Sequence, residues 1–251
     1  MYKVLLAVLL LIPSAFAQTL PTDVPTYLQD ISVTIHASSS DGSESQGSGV
    51  IYTRNGRNYV WTAAHVVAGL RRTRDVIDPK TGSSKTIVEF TDAEIVKELN
   101  ENGRRVGQLE MAAEVIRYSN ANTGEDLALL RIRKKDFVRT SAVFYTETSI
   151  PAFPGSSGGG IFLKDGRYIG MLTRGAGETF NLIVPIRRLQ AWAKRAEVEF
   201  AINESIPVPS DEELQKKPVE DGGSNVELQS RAMTREYPFM IVRTPATQPA
   251  K

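Results

Sequence analysis

The sequence predicts a mainly β fold, and three observations support this prediction. Short stretches in which apolar and polar residues alternate recur between Asp30 and Pro185. The dipeptides Asn55-Gly56 and Asp165-Gly166, which favour tight hairpin turns, each lie between two such stretches. Clear helical spacing of apolar residues occurs in one segment, after Pro185. We therefore expect many strands and a late helix.

Taken in order, the elements follow from local patterns. The strand candidates are DISVTIHA, GVIYT, NYVWTAA, TIVEF, AAEVIRYS, DLALLRI, AVFYT, GIFL, YIGMLT and FNLIVP. Residues 91–101 are also compatible with a helix. The helix after Pro185 is predicted from the one-face spacing of Ile186, Leu189, Trp192, Ala193 and Ala196.

The two ends of the chain differ from this pattern. Residues 1–17 contain a lysine, an apolar run and Ala15-Phe16-Ala17, the order of a secretory signal peptide cleaved after Ala17. The apolar run is about half the length of a membrane-spanning helix, so no stable membrane anchor is expected after cleavage. We therefore expect an exported protein, periplasmic or extracellular. Residues 203–251 are rich in Pro, Glu, Lys and Ser, which predicts a disordered tail.

One apolar stretch interrupts that tail, from Tyr237 to Arg243. Its aromatic and β-branched residues suit an added strand, which would complete a sheet or inhibit a cleft. The alternative is an incidental apolar cluster in a disordered segment.

Composition excludes several kinds of chemistry. The chain of 251 residues has no cysteine, which rules out disulfides, thiolate catalysis and cysteine-bound metals. Its 30 Lys+Arg and 29 Asp+Glu nearly cancel, so no overall field attracts nucleic acid. Acid–base or hydroxyl chemistry remains, and we predict neither a cofactor nor a metal site.

The stretch FPGSSGGGIF, residues 153–162, concentrates glycine around two serines. Glycine tolerates unusual backbone conformations, so this stretch is either a flexible turn or a loop whose backbone N–H groups face an oxyanion. In the second interpretation one of the serines is a nucleophile.

A serine nucleophile needs a base, and the chain has two histidines, His36 and His65. His36 lies in an alternating strand beside a serine-rich loop, which indicates a surface or half-buried residue. His65 follows an apolar strand, where a helical turn begins, and is the candidate base. Asp126 opens the apolar segment DLALLRI and is the candidate carboxylate that orients an imidazole; the alternative is an aspartate that begins a strand.

The chain order His65, Asp126, serine separates the possible folds. Residues 155–159 also fit the nucleophile elbow of α/β-hydrolases with Ser157, but in that fold the histidine follows the serine, and no histidine follows residue 65. The subtilisin order would need an aspartate before His65, such as Asp41, on a strand–helix alternation that is absent here.

Four segments in order, GSGVIY, WTAAHVV, DLALLRI and PGSSGGGIF, resemble the motifs of the trypsin-like serine peptidases of the chymotrypsin fold. The resemblance covers residues 27–196 and is greatest to the bacterial branch that contains the HtrA proteases, here without a PDZ domain. It implies a double β-barrel over residues 18–202 that hydrolyses polypeptides.

By this resemblance, His65 is the general base, Asp126 its orienting carboxylate and Ser157 the nucleophile. The backbone N–H groups of Gly155 and Ser157 would form the oxyanion hole. The segment YIGMLTRG resembles the strand that binds substrate, which places Thr173, Arg174 and Gly175 along the cleft.

The sequence also departs from the family. Ser156 replaces the aspartate that receives a new N-terminus in animal zymogens, and Pro151 replaces the acidic residue of Arg/Lys-specific members, which suggests a small or apolar P1 residue. Asp126 and Ser157 are only 31 positions apart. The second barrel must therefore be abbreviated, and an inactive, peptidase-derived binding module is the alternative to an enzyme.

Overall fold

The computed structural model describes residues 23–39, 41–77, 82, 84–101, 104–144, 157–175, 180–221 and 240–243, with the backbone alone at 85, 174, 175, 180, 181 and 240–243. These residues form a mainly β molecule, as the sequence predicts. The predicted signal peptide, residues 1–17, lies outside the described residues.

The secondary structure alternates short strands with few helices. The strands are β1 Ser32–Ser38, β2 Glu44–Arg54, β3 Arg57–Thr62, β4 Arg71–Ile77, β5 Ser84–Phe90, β6 Ala93–Glu101, β7 Arg104–Ser119, β8 Leu127–Ile132, β9 Gly160–Phe162, β10 Tyr168–Gly175, β11 Phe180–Pro185 and β12 Met240–Arg243. The α-helices are α1 Val24–Ile31, α2 Ala64–Val67, α3 Ile186–Arg195 and α4 Asp211–Gln215, and short 3₁₀ turns cover Ala68–Leu70 and Glu199–Ala201.

Six antiparallel strands close into a barrel in the order β1-β2-β3-β8-β7-β6. In β1, Val33 and Ile35 are buried and His36 is exposed, so the alternation read from the sequence separates core from surface. All six residues of β8 are buried, which matches its unbroken apolar sequence. The predicted turn at Asn55-Gly56 joins β2 to β3, and both residues have positive φ.

A second sheet has the order β12-β11-β10-β9. The predicted turn at Asp165-Gly166 joins β9 to β10, and Gly166 has a φ of 87°. Strand β12 pairs antiparallel with β11, with Val242 opposite Asn181. This pairing confirms, for residues 240–243, that the apolar stretch of the tail adds a strand.

The late helix is α3, and it joins the two halves of the molecule. Its predicted apolar face is buried, and Trp192 packs edge-on against Trp61 of β3 with ring centroids 5.8 Å apart. The Trp61 indole donates a hydrogen bond of 3.0 Å to the carbonyl of Ala201, just beyond this helix. The barrel and α3 therefore share one core.

Residues 91–101 correct the expectation of a possible helix. They contain β6, which pairs with β1 on one side and β7 on the other. Ala93 and Ile95 are buried in the barrel, and Glu94 between them is exposed. Pairing with two neighbouring strands outweighs a weak local helical spacing.

Residues 203–221 correct the predicted disordered tail. This segment, here named the C-terminal strap, contains α4 and packs against the barrel, with Leu214 buried. Arg54 of β2 donates hydrogen bonds to the carbonyls of Asn203 and Ile206, at 2.7 and 2.9 Å. The segment has few apolar residues, but the burial of Leu214 and the hydrogen bonds from Arg54 hold its backbone against the barrel.

Strand β12, which pairs with β11, lies beyond the strap in the chain and beyond residue 202, the end of the predicted peptidase domain. Within the described residues, no helix is long and apolar enough to cross a membrane.

Candidate active site

His65 lies in α2, the short helix that follows β3. Its neighbours Ala64, Val66 and Val67 are buried, whereas its own side chain is 29% exposed. The helix is thus fixed by the core on one side and presents the imidazole ring at the surface.

Asp126 lies just before β8, and its side chain is 1% exposed. Thr62 of β3 pairs with Ala128 of β8, so the chain that leaves β3 passes directly beside the chain that enters β8. This register places His65, three residues after Thr62, next to Asp126, two residues before Ala128.

The carboxylate of Asp126 holds both the backbone and the ring of His65. Its Oδ1 accepts a hydrogen bond from the backbone N–H of His65 at 3.0 Å. Nδ1 of the ring lies 3.1 Å from Oδ1 and 3.0 Å from Oδ2. An ionised carboxylate can only accept, so Nδ1 carries the proton in this contact and neutral His65 keeps a lone pair on Nε2.

Ser157 lies against β10 and β2. Its hydroxyl donates a hydrogen bond to the carbonyl of Thr173 at 2.9 Å, and its own carbonyl accepts one from the backbone N–H of Ser48 at 2.8 Å. Thr173 is buried, and its hydroxyl donates to the carbonyl of Leu182 at 3.2 Å. In the described part of the chain, the hydroxyl of Ser157 thus faces Thr173 rather than the ring of His65.

Gly47 of β2 separates the serine from the histidine helix. A Cβ at this position would lie 2.4 Å from a methyl carbon of Val66 and 2.9 Å from the carbonyl oxygen of Ser157. Val66 is the neighbour of His65, so the two candidate elements approach each other across a glycine. Any side chain at position 47 would push them apart.

Gly158 shows why the loop needs glycine next to the serine. Its φ is 84°, in the region that disfavours other residues, and its N–H donates to the carbonyl of Leu172 at 2.7 Å. A Cβ here would lie 2.1 Å from the carbonyl oxygen of Ser48 and 2.2 Å from Oγ1 of Thr62. The loop therefore packs its backbone directly on Ser48 of β2 and on Thr62 at the end of β3.

The other predicted site residues divide into two groups. Gly155 and Ser156 lie outside the described residues. Arg174 and Gly175 continue β10 beyond Thr173 and pair with β11, with only their backbone described. The structure brings His65 to Asp126 and Ser157 to Thr173.

Sequence analysis missed Glu125, which immediately precedes Asp126. Its buried carboxylate contacts Arg188 and Arg195 of α3. The two arginines are seven positions apart, which places them on one face of a helix. This spacing marks a basic face of α3, but it does not identify Glu125 as the partner of that face. No group of three or more His, Asp or Glu residues in the described ranges is placed to hold a metal ion.

Comparisons with known proteins give distant structural similarities. No family model matches the sequence, and no curated protein matches it. Among solved structures, the HtrA-type protease AlgW with a tripeptide aligns with 70% of this chain and 63% of its own, at 17% identity and a TM-score of 0.42.

Two further solved structures are similar at lower scores. The NSP4 proteinase from Equine Arteritis Virus aligns over 62% of this chain and 72% of its own, with 14% identity and a TM-score of 0.34. The serine endoprotease from Yersinia pestis aligns over 65% and 49%, with 17% identity and a TM-score of 0.28. This chain thus spans less than two thirds of the AlgW and Yersinia chains.

Proposed function

We propose that this protein is an exported serine endopeptidase of the trypsin-like family, on the HtrA side of that family, with His65, Asp126 and Ser157 as its catalytic residues. The observation that carries the proposal is the contact between buried Asp126 and Nδ1 of His65. It leaves Nε2 as a proton acceptor at the surface, on the element that faces the serine loop across Gly47. This is the arrangement that a serine nucleophile requires.

The first half of the reaction forms an acyl-enzyme. Nε2 of His65 takes the proton from Oγ of Ser157 as Oγ bonds to the peptide carbonyl carbon. The carbonyl oxygen becomes an oxyanion, for which the backbone N–H groups of Gly155 and Ser157 are the proposed donors. The intermediate then collapses, the C–N bond breaks, and the proton on Nε2 passes to the leaving amine.

In the second half, water replaces the amine. Nε2 takes a proton from water as its oxygen bonds to the acyl carbon, and the proton returns to Oγ when the ester bond breaks. Asp126 stays ionised and stabilises the imidazolium in both halves. The carbonyl of Thr173 holds the hydroxyl of Ser157 in this structure, so the hydroxyl must rotate toward His65 before attack.

One observation favours the second candidate function, an inactive binding module. The hydroxyl of Ser157 is bonded to Thr173, and a catalytic serine needs that hydrogen for His65. Catalytic hydrogen bonds are often loose or absent without substrate and form only in the complex, so this geometry is compatible with activity.

A serine-reactive fluorophosphonate probe distinguishes the two functions. We expect the wild-type protein to be labelled and to hydrolyse casein, and EDTA to leave hydrolysis unchanged. Ser157→Ala should abolish labelling and lower hydrolysis by on the order of 10⁴-fold or more, because no hydroxyl remains to form the acyl-enzyme.

The matched control is Ser156→Ala, which removes the neighbouring hydroxyl and should retain most of both signals. Labelling lost in the Ser156 variant alone would move the nucleophile to Ser156. A folded wild-type protein that is neither labelled nor active would support the binding module. Export is tested separately, by sequencing the N-terminus of the secreted protein, which should begin at Gln18.

A further inference from the structure

Glu125 is a buried charge that the proposed reaction does not use. Its side chain is 9% exposed and lies between two guanidinium groups of α3. Arg195 donates to Oε1 at 2.7 Å, and Arg188 contacts Oε2. Removing a carboxylate from water is costly, and two arginine partners offset that cost only if their geometry is held.

Glu125 matters because of its position in the chain, next to a residue of the candidate site. Glu125 immediately precedes Asp126, the residue that holds His65. Its backbone N–H donates to the hydroxyl of Ser119 at 2.8 Å, which fastens the loop to the end of β7. The side chain fastens the same residue to α3, so the loop is held from two elements.

The backbone at Asp126 needs such support. Its φ is 54°, in the left-handed region that costs most L-residues about 1–2 kcal/mol and that aspartate tolerates better than most. A residue stays in this region only when its surroundings hold it there. Besides the bonds of Asp126 to His65, the loop is held by the contacts of Glu125 with Ser119 and α3 and by internal hydrogen bonds to Asn120. In these, the N–H of Gly124 donates to the Asn120 carbonyl at 2.8 Å, and the N–H groups of Asn122 and Thr123 donate to the Asn120 side chain.

Helix α3 is itself a firm support. The indole of Trp192 donates to Asp221 of the C-terminal strap at 2.8 Å. Arg117 of β7 donates to the carbonyl of Ala196, at the end of the helix, at 3.0 Å. The arginines that hold Glu125 therefore project from an element that is fixed at its buried face and at its C-terminus.

We propose that Glu125 is a positioning residue: the contact of its carboxylate with Arg188 and Arg195 fixes the loop on which Asp126 lies, and so fixes Asp126 against the ring of His65. The role of this contact in catalysis rests on the proposed peptidase function. The structural part does not, because it concerns only the geometry between Asp126 and His65.

The test is Glu125→Gln in the full chain, read by two independent signals. The first is the NMR resonance of the Nδ1 proton of His65, which reports its hydrogen bond to a carboxylate. The second is casein hydrolysis. We expect the Nδ1 resonance to shift upfield or broaden, and kcat to fall about 10- to 100-fold with little change in KM, because the base is misplaced while the cleft is intact.

Glu114→Gln is the matched control. Glu114 also pairs with two arginines, Arg131 and Arg133, and is partly buried in the barrel. Arg131 lies five positions after Asp126 along β8, which is about 16 Å in an extended strand. This variant should lose similar thermal stability without changing the Nδ1 resonance or kcat.

A second variant covers the case in which Glu125→Gln does not fold. Arg195 is 42% exposed, so Arg195→Gln should fold, and it should move the same resonance in the same direction by a smaller amount. A wild-type Nδ1 resonance in folded Glu125→Gln or Arg195→Gln would overturn the proposal. If the wild-type protein lacks hydrolysis but the resonance moves as expected, the positioning role stands and the peptidase function fails.

Discussion

Two residues of the candidate site have left-handed backbone conformations, and they differ in what fixes their identity. Asp126 has a φ of 54°, and aspartate is among the residues that tolerate this region. Gly158 has a φ of 84° and has no room for a side chain beside Ser48 and Thr62. Only glycine meets both conditions at position 158.

We therefore predict that Gly158→Ala destabilises the fold and abolishes hydrolysis. The positive φ alone costs an L-residue about 1–2 kcal/mol. In addition, a Cβ would lie 2.1 Å from a backbone oxygen of β2, so the serine loop must move away from the barrel. Chemical denaturation and casein hydrolysis measure the two effects.

Gly42→Ala is the control that separates the cost of backbone strain from the effect of displacing the serine loop. Gly42 has a φ of 83° and open space around it, so this variant carries the same backbone strain without a clash. It should lose about 1 kcal/mol of stability and keep its hydrolysis. Equal effects of the two substitutions on hydrolysis would contradict the packing of the loop on β2 and β3.

Among the secondary-structure elements, the C-terminal strap contacts the barrel, strand β4 and helix α3 at once. Asp211 pairs with Arg57 at 2.9 Å, Glu220 pairs with Arg71 at 2.7 Å, and Asp221 accepts from the Trp192 indole. Backbone hydrogen bonds also join Tyr118 of β7 to residues 219 and 221. The strap therefore continues the sheet beside the C-terminal part of β7, beyond Ala93, where β6 begins.

Two truncations should separate the strap from strand β12. A chain that ends at Asp221 lacks β12 and keeps the strap. A chain that ends at Ile202 also loses two of the three carbonyls that accept from Arg54, the acceptor of the Trp192 indole and the buried side chain of Leu214. We expect this second step to lower the free energy of unfolding by at least about 3 kcal/mol, because apolar burial is lost and the buried Trp192 indole is left without its acceptor.

Urea denaturation of the full chain and the two truncated chains measures the loss of stability at each of the two truncation steps. Asp221→Asn in the full chain is a control, because an asparagine oxygen can still accept from Trp192, and it should cost little. If the chain that ends at Ile202 were as stable as the full protein, the strap would contribute nothing to the fold. A rise in casein hydrolysis on loss of β12 alone would indicate that this strand inhibits the enzyme.

Across the whole protein, the core buries several tyrosines whose hydroxyls are shielded from water. Burial raises the pKa of five of them above the ordinary phenol value: Tyr27, Tyr52, Tyr59, Tyr118 and Tyr168. The folded protein keeps these phenols neutral at a pH where the unfolded chain ionises them. The free energy of unfolding therefore depends on pH in the alkaline range, where these tyrosines ionise.

We predict that stability is constant with respect to these groups below about pH 10 and falls as pH rises above it. In that range the unfolded state binds fewer protons than the folded state, so each group lowers the free energy of unfolding by up to about 1.4 kcal/mol per pH unit. Thermal unfolding followed by tyrosinate absorbance should show ionisation and unfolding together.

Tyr168→Phe is the control for this linkage. The ring of Tyr168 packs between those of Phe144 and Phe162, at centroid distances of 4.9 and 5.5 Å, and phenylalanine keeps that packing. The variant should lose stability less steeply above about pH 10, because one ionisable group is gone. Tyrosines that ionise in the folded protein with the ordinary phenol pKa would contradict the prediction.

The local sequence was sufficient to predict five of the six strands of the barrel, the turn at Asn55-Gly56 and the helix after Pro185. In each case, a short-range pattern and the burial of one face favour the same structure. The sequence also identified His65, Asp126 and Ser157 as candidates. Each lies next to a strand of recognisable composition. Chain order excluded the α/β-hydrolase fold, and the absence of strand–helix alternation argued against the subtilisin fold.

Tertiary structure decided what depends on distant partners. Residues 93–101 are a strand because β1 and β7 pair with them, and the strap is ordered because Arg54, Arg57 and Trp192 bind it. Glu125 has a partner 70 positions away, at Arg195, and no local pattern around it predicts that contact. Hydrogen bonds and ion pairs between distant residues form only once the chain has closed on itself, so their stabilisation is not encoded in any short stretch.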